Sequence, residues 1–388
     1  MKTIDLVYFN AGGGHRAAAL ALQQAITQQG RPWQVRLVDL NRVLDPQSSF
    51  RRMLGFDPEQ FYNLRLQRGW TLGLAQELKV LQAAIRLAHT ALMKPLVRHW
   101  AHTEPDLVVS LVPNFNRVLC ESVAMALPGV PYVTVLTDMA DHPPHFWIEP
   151  DQDQWLICGS DRAVQQARAA GYADSRIAQT SGMVIKPSFY VPDATPREAA
   201  RMAHGLHPQA PTAVVVFGGQ GSRQMLRVAR LLDGVQLVLL CGHNHALKEQ
   251  LSTMTRSAPH VALGFLDQVA PLMRLGDFFI GKPGPGCLSE AVRLGLPVIT
   301  LRNAWTMPQE RYNAQWVKDN GVGLVVPSLS ALPAAAQAMV AQLGAFQRAA
   351  NAIDNRAVFE VPALLARLLE APQEQAWAEP EKLSTLAA

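Results

Sequence analysis

The sequence has few cysteines, few charged residues and no long apolar run, and each shortage excludes a class of protein. Its four cysteines lie far apart without a Cys-x-x-Cys pair, which argues against a zinc site or a disulfide framework and is typical of a reducing compartment. No window approaches about 18 consecutive apolar residues, so we expect no membrane-spanning helix. The content of 17% charged and 49% apolar residues excludes disorder and a coiled coil.

The overall charge and the first residues add two further expectations. With 35 basic and 31 acidic residues, the net charge of +4 is too small to indicate a nucleic-acid partner. The short apolar run that follows Met1-Lys2-Thr3 predicts a first strand rather than a signal peptide. We therefore expect a soluble or peripherally bound cytoplasmic protein.

The length of 388 residues suffices for two domains of similar size. Apolar runs of four to six residues alternate with helical stretches, which is typical of strands buried on both faces of a parallel sheet. This pattern predicts two doubly wound α/β domains, at residues 1–186 and 187–370, and a tail at 371–388. The predicted strands are Ile4–Phe9, Val35–Val38, Leu107–Leu111, Tyr132–Thr137, Trp155–Cys158, Ala213–Phe217, Gln236–Leu240, Phe278–Ile280, Pro297–Leu301 and Gly323–Val326.

A glycine-rich turn, Gly12–His15, joins the first predicted strand to a helix at 16–29. Glycines let the backbone approach a ligand closely and leave N–H groups free at the helix start. His15 has its pKa biased downward there and can act as a neutral base or donor, or it only caps the loop. The turn also fits the loose dinucleotide fingerprint, with Asp39 as the ribose acid, which makes an NAD-linked oxidoreductase the weakest alternative.

Asp138 and His142 come directly after the predicted strand Tyr132–Thr137. In an open α/β sheet the ligand binds at the carboxyl ends of the strands. A carboxylate close to His15 at that edge is a candidate general base. The alternative is that Asp138 caps the next element, as aspartate often does.

Three polar segments follow strands in the second half. Gly218–Ser222 opens a helix, and its N–H groups and hydroxyl suit phosphate oxygens without any lysine. Gly281–Glu290 forms another turn at a helix start, where Glu290, in the first turn, is suited to both hydroxyls of a ribose or to the helix dipole. Pro308–Asn313 offers amide and carboxylate groups that suit sugar hydroxyls.

An insertion at about 43–104 separates the second and third predicted strands. Its segment 60–103 carries six basic residues against Glu77 alone, a net charge of +5. Two interpretations stay open: a helix packed on its own domain with a solvated basic flank, or an element that binds an anionic membrane through residues such as Trp70 and Leu72. The apolar residues at helical spacing are Leu74, Leu78, Leu81, Ile85, Ala88 and Leu92.

In this order the segments resemble the glycosyltransferases of the monogalactosyldiacylglycerol synthase type, of glycosyltransferase family 28. The resemblance covers about residues 1–327. It implies a GT-B fold, with two Rossmann-like domains facing across a cleft, and an inverting transfer without metal or other cofactor from a UDP-hexose to a lipid acceptor such as diacylglycerol. The motifs that carry it are Gly12-Gly13-Gly14-His15-Arg16-Ala17, Thr137-Asp138 with His142-Pro143, Gly182-Met183-Val184-Ile185-Lys186-Pro187-Ser188-Phe189, Gly264-Phe265-Leu266, Lys282-Pro283-Gly284-Pro285-Gly286, Ser289-Glu290 and Gln309-Glu310-Arg311-Tyr312-Asn313.

The resemblance also implies a role for each matched residue. In the amino-terminal domain, His15 and Asp138 would be the catalytic residues, beside the acceptor-binding residues Gly12, Gly13, Gly14 and His142. Asp138 is favoured as the base, with His15 positioning the acceptor, and the reverse assignment stays open. In the carboxyl-terminal domain, the donor's diphosphate would bind at Gly218, Gly219, Gln220, Gly221 and Ser222. Uracil would bind at Phe265 and Leu266, ribose at Glu290, and the hexose at Gln309 and Glu310. The remaining donor-binding residues would be Lys186, Pro283, Gly284, Gly286, Cys287 and Asn313.

Other functions stay open beside this one. A UDP-sugar epimerase or hydrolase of the same fold needs the same donor site, and a non-catalytic nucleotide-sugar-binding protein is disfavoured by the presence of His15 and Asp138. The residues do not decide between galactose and glucose. We expect a cytoplasmic protein, peripherally associated with the inner face of an anionic membrane, whose partners are a UDP-hexose and a lipid and not a nucleic acid.

Overall fold

A computed structural model describes residues 1–10, 13–45, 74–370 and 377 of the chain. The chain divides into two compact units. The first holds the described residues up to Pro187 together with those from Asn355 onward, and the second holds Ser188–Asp354. The described part of each unit contains one six-stranded sheet whose neighbouring strands all run parallel. The predicted α/β class with two doubly wound domains is therefore confirmed.

The strands of the first unit are β1 Lys2–Tyr8, β2 Trp33–Asp39, β3 Leu107–Ser110, β4 Tyr132–Val135, β5 Trp155–Cys158 and β6 Ile177–Gln179. They lie in the order β2-β1-β3-β4-β5-β6. The chain moves outward from β1 to β2 and then returns to the other side of β1. The order therefore switches between β1 and β3, which is where an open α/β sheet binds ligands, at the carboxyl ends of the strands.

Helices of the first unit pack on this sheet through a shared apolar core. Trp100, on the helix His89–Thr103, is fully buried. Its indole donates a hydrogen bond of 2.8 Å to the hydroxyl of Ser122 on the helix Asn116–Ala126. The α-helices of this unit that precede the second unit are α1 Gly14–Gln28, α2 Leu40–Leu44, α3 Leu74–Leu87, α4 His89–Thr103, α5 Asn116–Ala126 and α6 Asp161–Ala169.

The strands of the second unit are β7 Thr212–Val216, β8 Gln236–Leu240, β9 His260–Leu263, β10 Phe278–Gly281, β11 Val298–Leu301 and β12 Gly323–Val326. They lie in the order β12-β11-β10-β7-β8-β9. This order switches between β7 and β10, as the order of the first sheet does between β1 and β3. A large apolar core packs on the sheet. The helices are α7 Arg197–Ala203, α8 Gln224–Leu231, α9 His245–Ser252, α10 Ala270–Met273, α11 Pro285–Arg293, α12 Arg311–Asp319, α13 Leu332–Ala341 and α14 Leu343–Asn351.

The helix α15, Ala357–Glu370, belongs to the first unit, whereas the sequence predicts it within the domain 187–370. The physical reason lies in its contacts. Gln29 donates to the carbonyl of Phe359 at 3.0 Å, and the amide of Ser181 donates to Glu360 at 2.8 Å. Helical periodicity shows that a segment has an apolar face, but it does not show which sheet that face covers.

All ten predicted strands are present, with ends that differ by no more than two residues from those observed. The sequence missed β6 and β9, each of which lies at one edge of its sheet. Both are short and partly exposed, so they lack the continuous apolar run that marks a central strand.

The predicted insertion helix at 74–92 is divided at Ala88 into α3 and α4. Leu78 packs against the first unit's core, while Val80, Leu81 and Leu87 are exposed. Residues 46–73, including Trp70 and Leu72, lie outside the described residues. Within the described ranges no single helix is long and apolar enough to cross a membrane, although the bent pair Leu329–Ala341 and Leu343–Asn351 meets the criteria when taken together.

Candidate active site

His15 and Thr137 meet at the carboxyl edge of the first unit's sheet. Gly13 precedes α1 with a φ of 81°, a left-handed conformation that favours glycine, and His15 stands in the first turn of the helix. Its Nδ1 lies 3.1 Å from Oγ1 of Thr137, just beyond the end of β4. This contact joins the first turn of α1 to the residue directly before Asp138. Gly12 lies outside the described residues.

The His15 imidazole is neutral at physiological pH. Burial disfavours its charged form and lowers its pKa to about 4. Its ring centroid lies 5.8 Å from that of Trp147. A hydrogen bond between this imidazole and the backbone of Leu111 acts in the opposite direction and raises the pKa, but by less than burial lowers it.

Asp138 is 6% exposed, and its Oδ2 accepts a hydrogen bond of 3.0 Å from the indole Nε1 of Trp147. The alternative in which Asp138 caps a helix is not supported, because the described residues between β4 and β5 contain no helix. The indole therefore fixes the position of this buried carboxylate. Sequence reasoning singled out Asp138 but missed Trp147.

A second buried carboxylate, Asp141, shapes this loop. It accepts backbone hydrogen bonds from His145 at 3.1 Å and from Trp147 at 2.6 Å. Burial raises its pKa to about 6, although these hydrogen bonds act in the opposite direction. The side chain of His142, which the sequence singled out instead, is exposed, and its acceptor-binding role stays a prediction.

Asn116, fully buried at the start of α5, also holds Trp147 in place. Its amide nitrogen donates to the Trp147 carbonyl at 3.0 Å. Its amide oxygen accepts hydrogen bonds from Ser110 at 2.7 Å and from Tyr132 at 2.8 Å. Trp147 is therefore held by hydrogen bonds at its backbone amide, its carbonyl and its indole. Because the indole donates to Asp138, these bonds also fix the position of the Asp138 carboxylate.

In the second unit, the predicted diphosphate loop follows β7. Gly218 and Gly221 have φ values of 85° and 63°, and a Cβ on Gly221 would lie 2.4 Å from the carbonyl oxygen of Cys241. These conformations require glycine. The buried hydroxyl of Ser222 accepts a 3.3 Å hydrogen bond from Gln224 at the start of α8. The loop thus combines backbone N–H groups, a hydroxyl and a helix N-terminus.

The loop after β10 reaches the same edge of this sheet, because β7 and β10 are neighbours. Helix α11 starts at Pro285, which places Glu290 in its second turn. This corrects the expectation of a first-turn acid, and it weakens the helix-dipole interpretation because the dipole effect falls off within the first turn. Burial raises the pKa of the Cys287 thiol to about 12, so it is not a nucleophile at neutral pH.

The segment Pro308–Asn313 contains two buried oxygen atoms that accept no hydrogen bond. The amide oxygens of Gln309 and Asn313 are buried and make no hydrogen bond, although the Asn313 amide nitrogen donates to the Pro283 carbonyl at 2.8 Å. Buried polar atoms are normally paired. These two oxygens are therefore suited to ligand hydroxyls. Glu310, 5% exposed, forms an ion pair of 2.7 Å with Lys282.

Phe265 and Leu266, the predicted uracil residues, are 49% and 41% exposed. The ring of His243 stacks on Phe265 at 3.9 Å and 15°, and the His243 amide donates to the Gly219 carbonyl at 3.0 Å. Sequence reasoning missed His243, although a glycine and a histidine directly after a buried strand were the available signal. This residue links the diphosphate loop to the exposed aromatic ring.

The predicted sites fall into two sets. His15 and Asp138 lie in the first unit, and so does Lys186, whose phosphate role stays a prediction. The segments beginning at Gly218, Lys282 and Pro308 all lie in the second unit. Asp39, the ribose acid of the dinucleotide alternative, instead accepts from the amide of Asn41 and caps α2.

Residues 213–363 match the glycosyltransferase family 28 C-terminal domain, and most of this match lies in the second unit. Monogalactosyldiacylglycerol synthase 1, chloroplastic, of Arabidopsis thaliana is 27% identical over 342 residues, which are 83% of this chain and 62% of that protein. The chain thus spans less than two thirds of this plant relative. A processive diacylglycerol beta-glucosyltransferase of Bacillus pumilus (strain SAFR-032) is 26% identical over 336 residues, covering 84% of this chain and 83% of that protein.

A solved structure of spinosyn rhamnosyltransferase SpnG with thymidine diphosphate matches with a TM-score of 0.60 at 14% identity. The match covers 96% of this chain and 100% of that one. The GT-B fold is confirmed, and so is the resemblance to the monogalactosyldiacylglycerol synthase type that the motifs indicated.

Proposed function

We propose that this chain, which carries a glycosyltransferase family 28 domain, transfers a hexose from a UDP-sugar to a lipid acceptor such as diacylglycerol. The observation that carries the proposal is at one edge of the second unit's sheet. A glycine loop suited to a diphosphate follows β7, and the segment after β11 supplies the buried amide oxygens of Gln309 and Asn313, neither of which makes a hydrogen bond. The donor is thereby recognised through both its phosphates and its hydroxyl groups. The relatives named for diacylglycerol glycosylation support the choice of acceptor.

The reaction proceeds by direct displacement. The acceptor hydroxyl oxygen forms a bond to the anomeric carbon while the bond from that carbon to the diphosphate oxygen breaks, and its electron pair leaves with UDP. Asp138 takes the hydroxyl proton, and neutral His15 orients the hydroxyl. One displacement inverts the anomeric carbon. No metal or other cofactor is needed for these steps.

The first unit contacts an anionic membrane surface through α3. Val80 and Leu87, 68% and 90% exposed, lie seven residues apart on one face of this helix. The exposed residues Lys79 and Arg86 flank that face, and each basic side chain near anionic lipid adds about 1 kcal/mol of attraction. Leu87→Ser should weaken co-sedimentation with liposomes that contain anionic lipid, whereas Gln76→Ser should not. Binding that ignores salt and lipid charge would contradict this part of the proposal.

A donor panel tests the function. Purified protein is incubated with UDP-galactose, UDP-glucose and UDP-N-acetylglucosamine and with diacylglycerol in liposomes, with and without EDTA. We expect a hexosyl-diacylglycerol of inverted anomeric configuration from one donor, formed equally well with EDTA present. Release of free hexose would favour a hydrolase, and an altered UDP-sugar would favour an epimerase. UDP binding with no turnover of any donor would favour the non-catalytic alternative.

A further inference from the structure

We propose that Lys282 is the cation that stabilises the departing diphosphate and that Glu310 is its positioning residue. The inference rests on the proposed function and assigns a group to one of its steps, the loss of UDP. The sequence interpretation expected the phosphates to bind without a lysine at the glycine loop.

The sheet topology brings Lys282 to the diphosphate loop. Gly281, the last residue of β10, pairs in register with Val216, the last residue of β7. Lys282 is the next residue after β10, and Gly218 comes two residues after β7. Both therefore stand at the switch point of the sheet, where phosphate groups bind in doubly wound folds.

The side chain of Lys282 lies across that loop. A Cβ on Gly218 would be 3.2 Å from Cε of Lys282 and 4.0 Å from its Nζ. The ammonium group is thus next to the glycine whose φ of 85° turns the loop. An oxygen bound by the amides of this loop is within reach of the ammonium group.

Glu310 fixes the position of the ammonium. Its Oε1 lies 2.7 Å from Nζ, and its side chain is 6% exposed compared with 30% for the lysine. A Cβ on Gly284 would be 3.5 Å from both Oε1 of Glu310 and Cε of Lys282, so the ion pair lies against this glycine. An ammonium has three N–H donors, so Lys282 can keep its bond to Glu310 and also donate to a phosphate oxygen.

The chemistry requires such a group. When the bond between the anomeric carbon and the diphosphate oxygen breaks, its electron pair adds negative charge to the β-phosphate, while the acceptor proton passes to Asp138. A preorganised donor at a developing charge contributes about 100-fold or more to the rate. Lys282 contacts the leaving group itself, so it acts directly.

Removal of Lys282 alone leaves Glu310 buried and unpaired, and this could unfold the chain. The kinetic test therefore compares Glu310→Gln with the double variant Lys282→Met/Glu310→Gln, in which both charges are gone, with Lys318→Met as the exposed-lysine control. We expect the double variant to have a kcat about 100-fold below that of Glu310→Gln and Lys318→Met to be unchanged. Equal kcat values for Glu310→Gln and the double variant would overturn the proposal, since the lysine would then serve only to neutralise Glu310.

A binding measurement separates this inference from the proposed function. UDP and UMP, which lacks the β-phosphate, are titrated calorimetrically into the same three variants. The double variant should bind UDP about tenfold more weakly than Glu310→Gln and UMP equally well. Equal loss for both nucleotides, or for neither, would overturn the role of Lys282. A wild-type protein that discriminates UDP from UMP but transfers no hexose would overturn the proposed function and leave the lysine's role supported.

Discussion

The two units build their candidate sites from different parts of the polypeptide. In the first, side chains hold other side chains: Trp147 orients Asp138, and Asn116 and Asp141 hold Trp147. In the second, backbone approaches backbone, and a Cβ on Gly242 would lie 2.0 Å from the carbonyl oxygen of Gly219. The proposed acceptor site in the first unit should therefore respond to the loss of single hydrogen bonds, whereas the proposed donor site in the second unit should respond to added side-chain volume.

Removal of the proposed base gives the largest expected effect. Asp138→Asn keeps the shape of the side chain but removes its basicity, so kcat should fall by about 1,000-fold, with UDP affinity unchanged. Steady-state transfer assays and calorimetry measure the two quantities. Asp174→Asn, at an exposed ion pair with Arg168, is the control and should act like wild type. A small loss here together with a large loss in His15→Ala would reverse the two roles.

On the donor side, one added methyl group should distinguish two neighbouring glycines. Gly221→Ala introduces a Cβ 2.4 Å from the Cys241 carbonyl at a φ of 63°, so it should destabilise the fold by about 2 kcal/mol and abolish UDP binding. Gly219→Ala meets nothing within 4 Å and should retain stability. Thermal unfolding and UDP titration measure both variants. Equal behaviour of the two would contradict the described loop.

Trp147→Phe tests the indole hydrogen bond. The ring remains, but the donor to Asp138 is lost, which should lower kcat about tenfold and stability by about 1 kcal/mol. UDP affinity should not change, because Trp147 lies in the first unit. Phe146→Leu, a neighbouring buried ring without a donor, is the control for packing. If it lowers kcat as much as Trp147→Phe does, the hydrogen bond is not the cause.

The stack of His243 on Phe265 should contribute a smaller amount to nucleotide binding. His243→Ala should weaken UDP binding about fivefold, and His243→Phe should restore it, because a parallel aromatic pair contributes about 1 kcal/mol. Competition with ADP provides the sharper readout, since the preference for UDP should shrink in the alanine variant only. No rescue by phenylalanine would show that the imidazole acts through another contact.

The last expected effect is a change in the pH dependence of stability. The pKa of folded His15, about 4, lies below its unfolded value of 6.5, so the unfolded chain binds more protons between these values and stability falls as pH drops through this window. In Asp141 the folded pKa of about 6 lies above 3.8, which acts in the opposite direction. His15→Gln should therefore become more stable relative to wild type as pH falls from 7 to 4. A constant difference in chemical denaturation across this range would contradict the assignment.

The sequence could predict what depends on local pattern and not what depends on distant contacts. Central strands such as Trp155–Cys158 are buried on both faces and read directly as apolar runs, whereas the edge strand Ile177–Gln179 is half exposed and does not. The glycine loops could be predicted because backbone conformations with a positive φ favour glycine, which marks these loops in the sequence. The stack of His243 on Phe265 joins residues from two different loops, and no spacing rule reports such a contact.

The site in the first unit was harder to predict from the sequence, because it too depends on contacts between residues that are distant along the chain. Asp138 follows a strand and was found, but its partner Trp147 is placed by hydrogen bonds from Asn116 and to Asp141 that form only when the loop is folded. Lys282 was read only as part of a motif, and its position beside Gly218 follows from the pairing of β7 with β10.

The stoichiometry of UDP release and glycolipid formation tests the central claim most directly. Both products are quantified in one reaction of wild-type protein with the preferred UDP-hexose and diacylglycerol liposomes. A displacement in which Asp138 deprotonates the lipid hydroxyl and UDP leaves predicts one glycolipid for each UDP released, and no UDP release when the lipid is omitted. UDP release without glycolipid, or at a rate independent of the lipid, would contradict it.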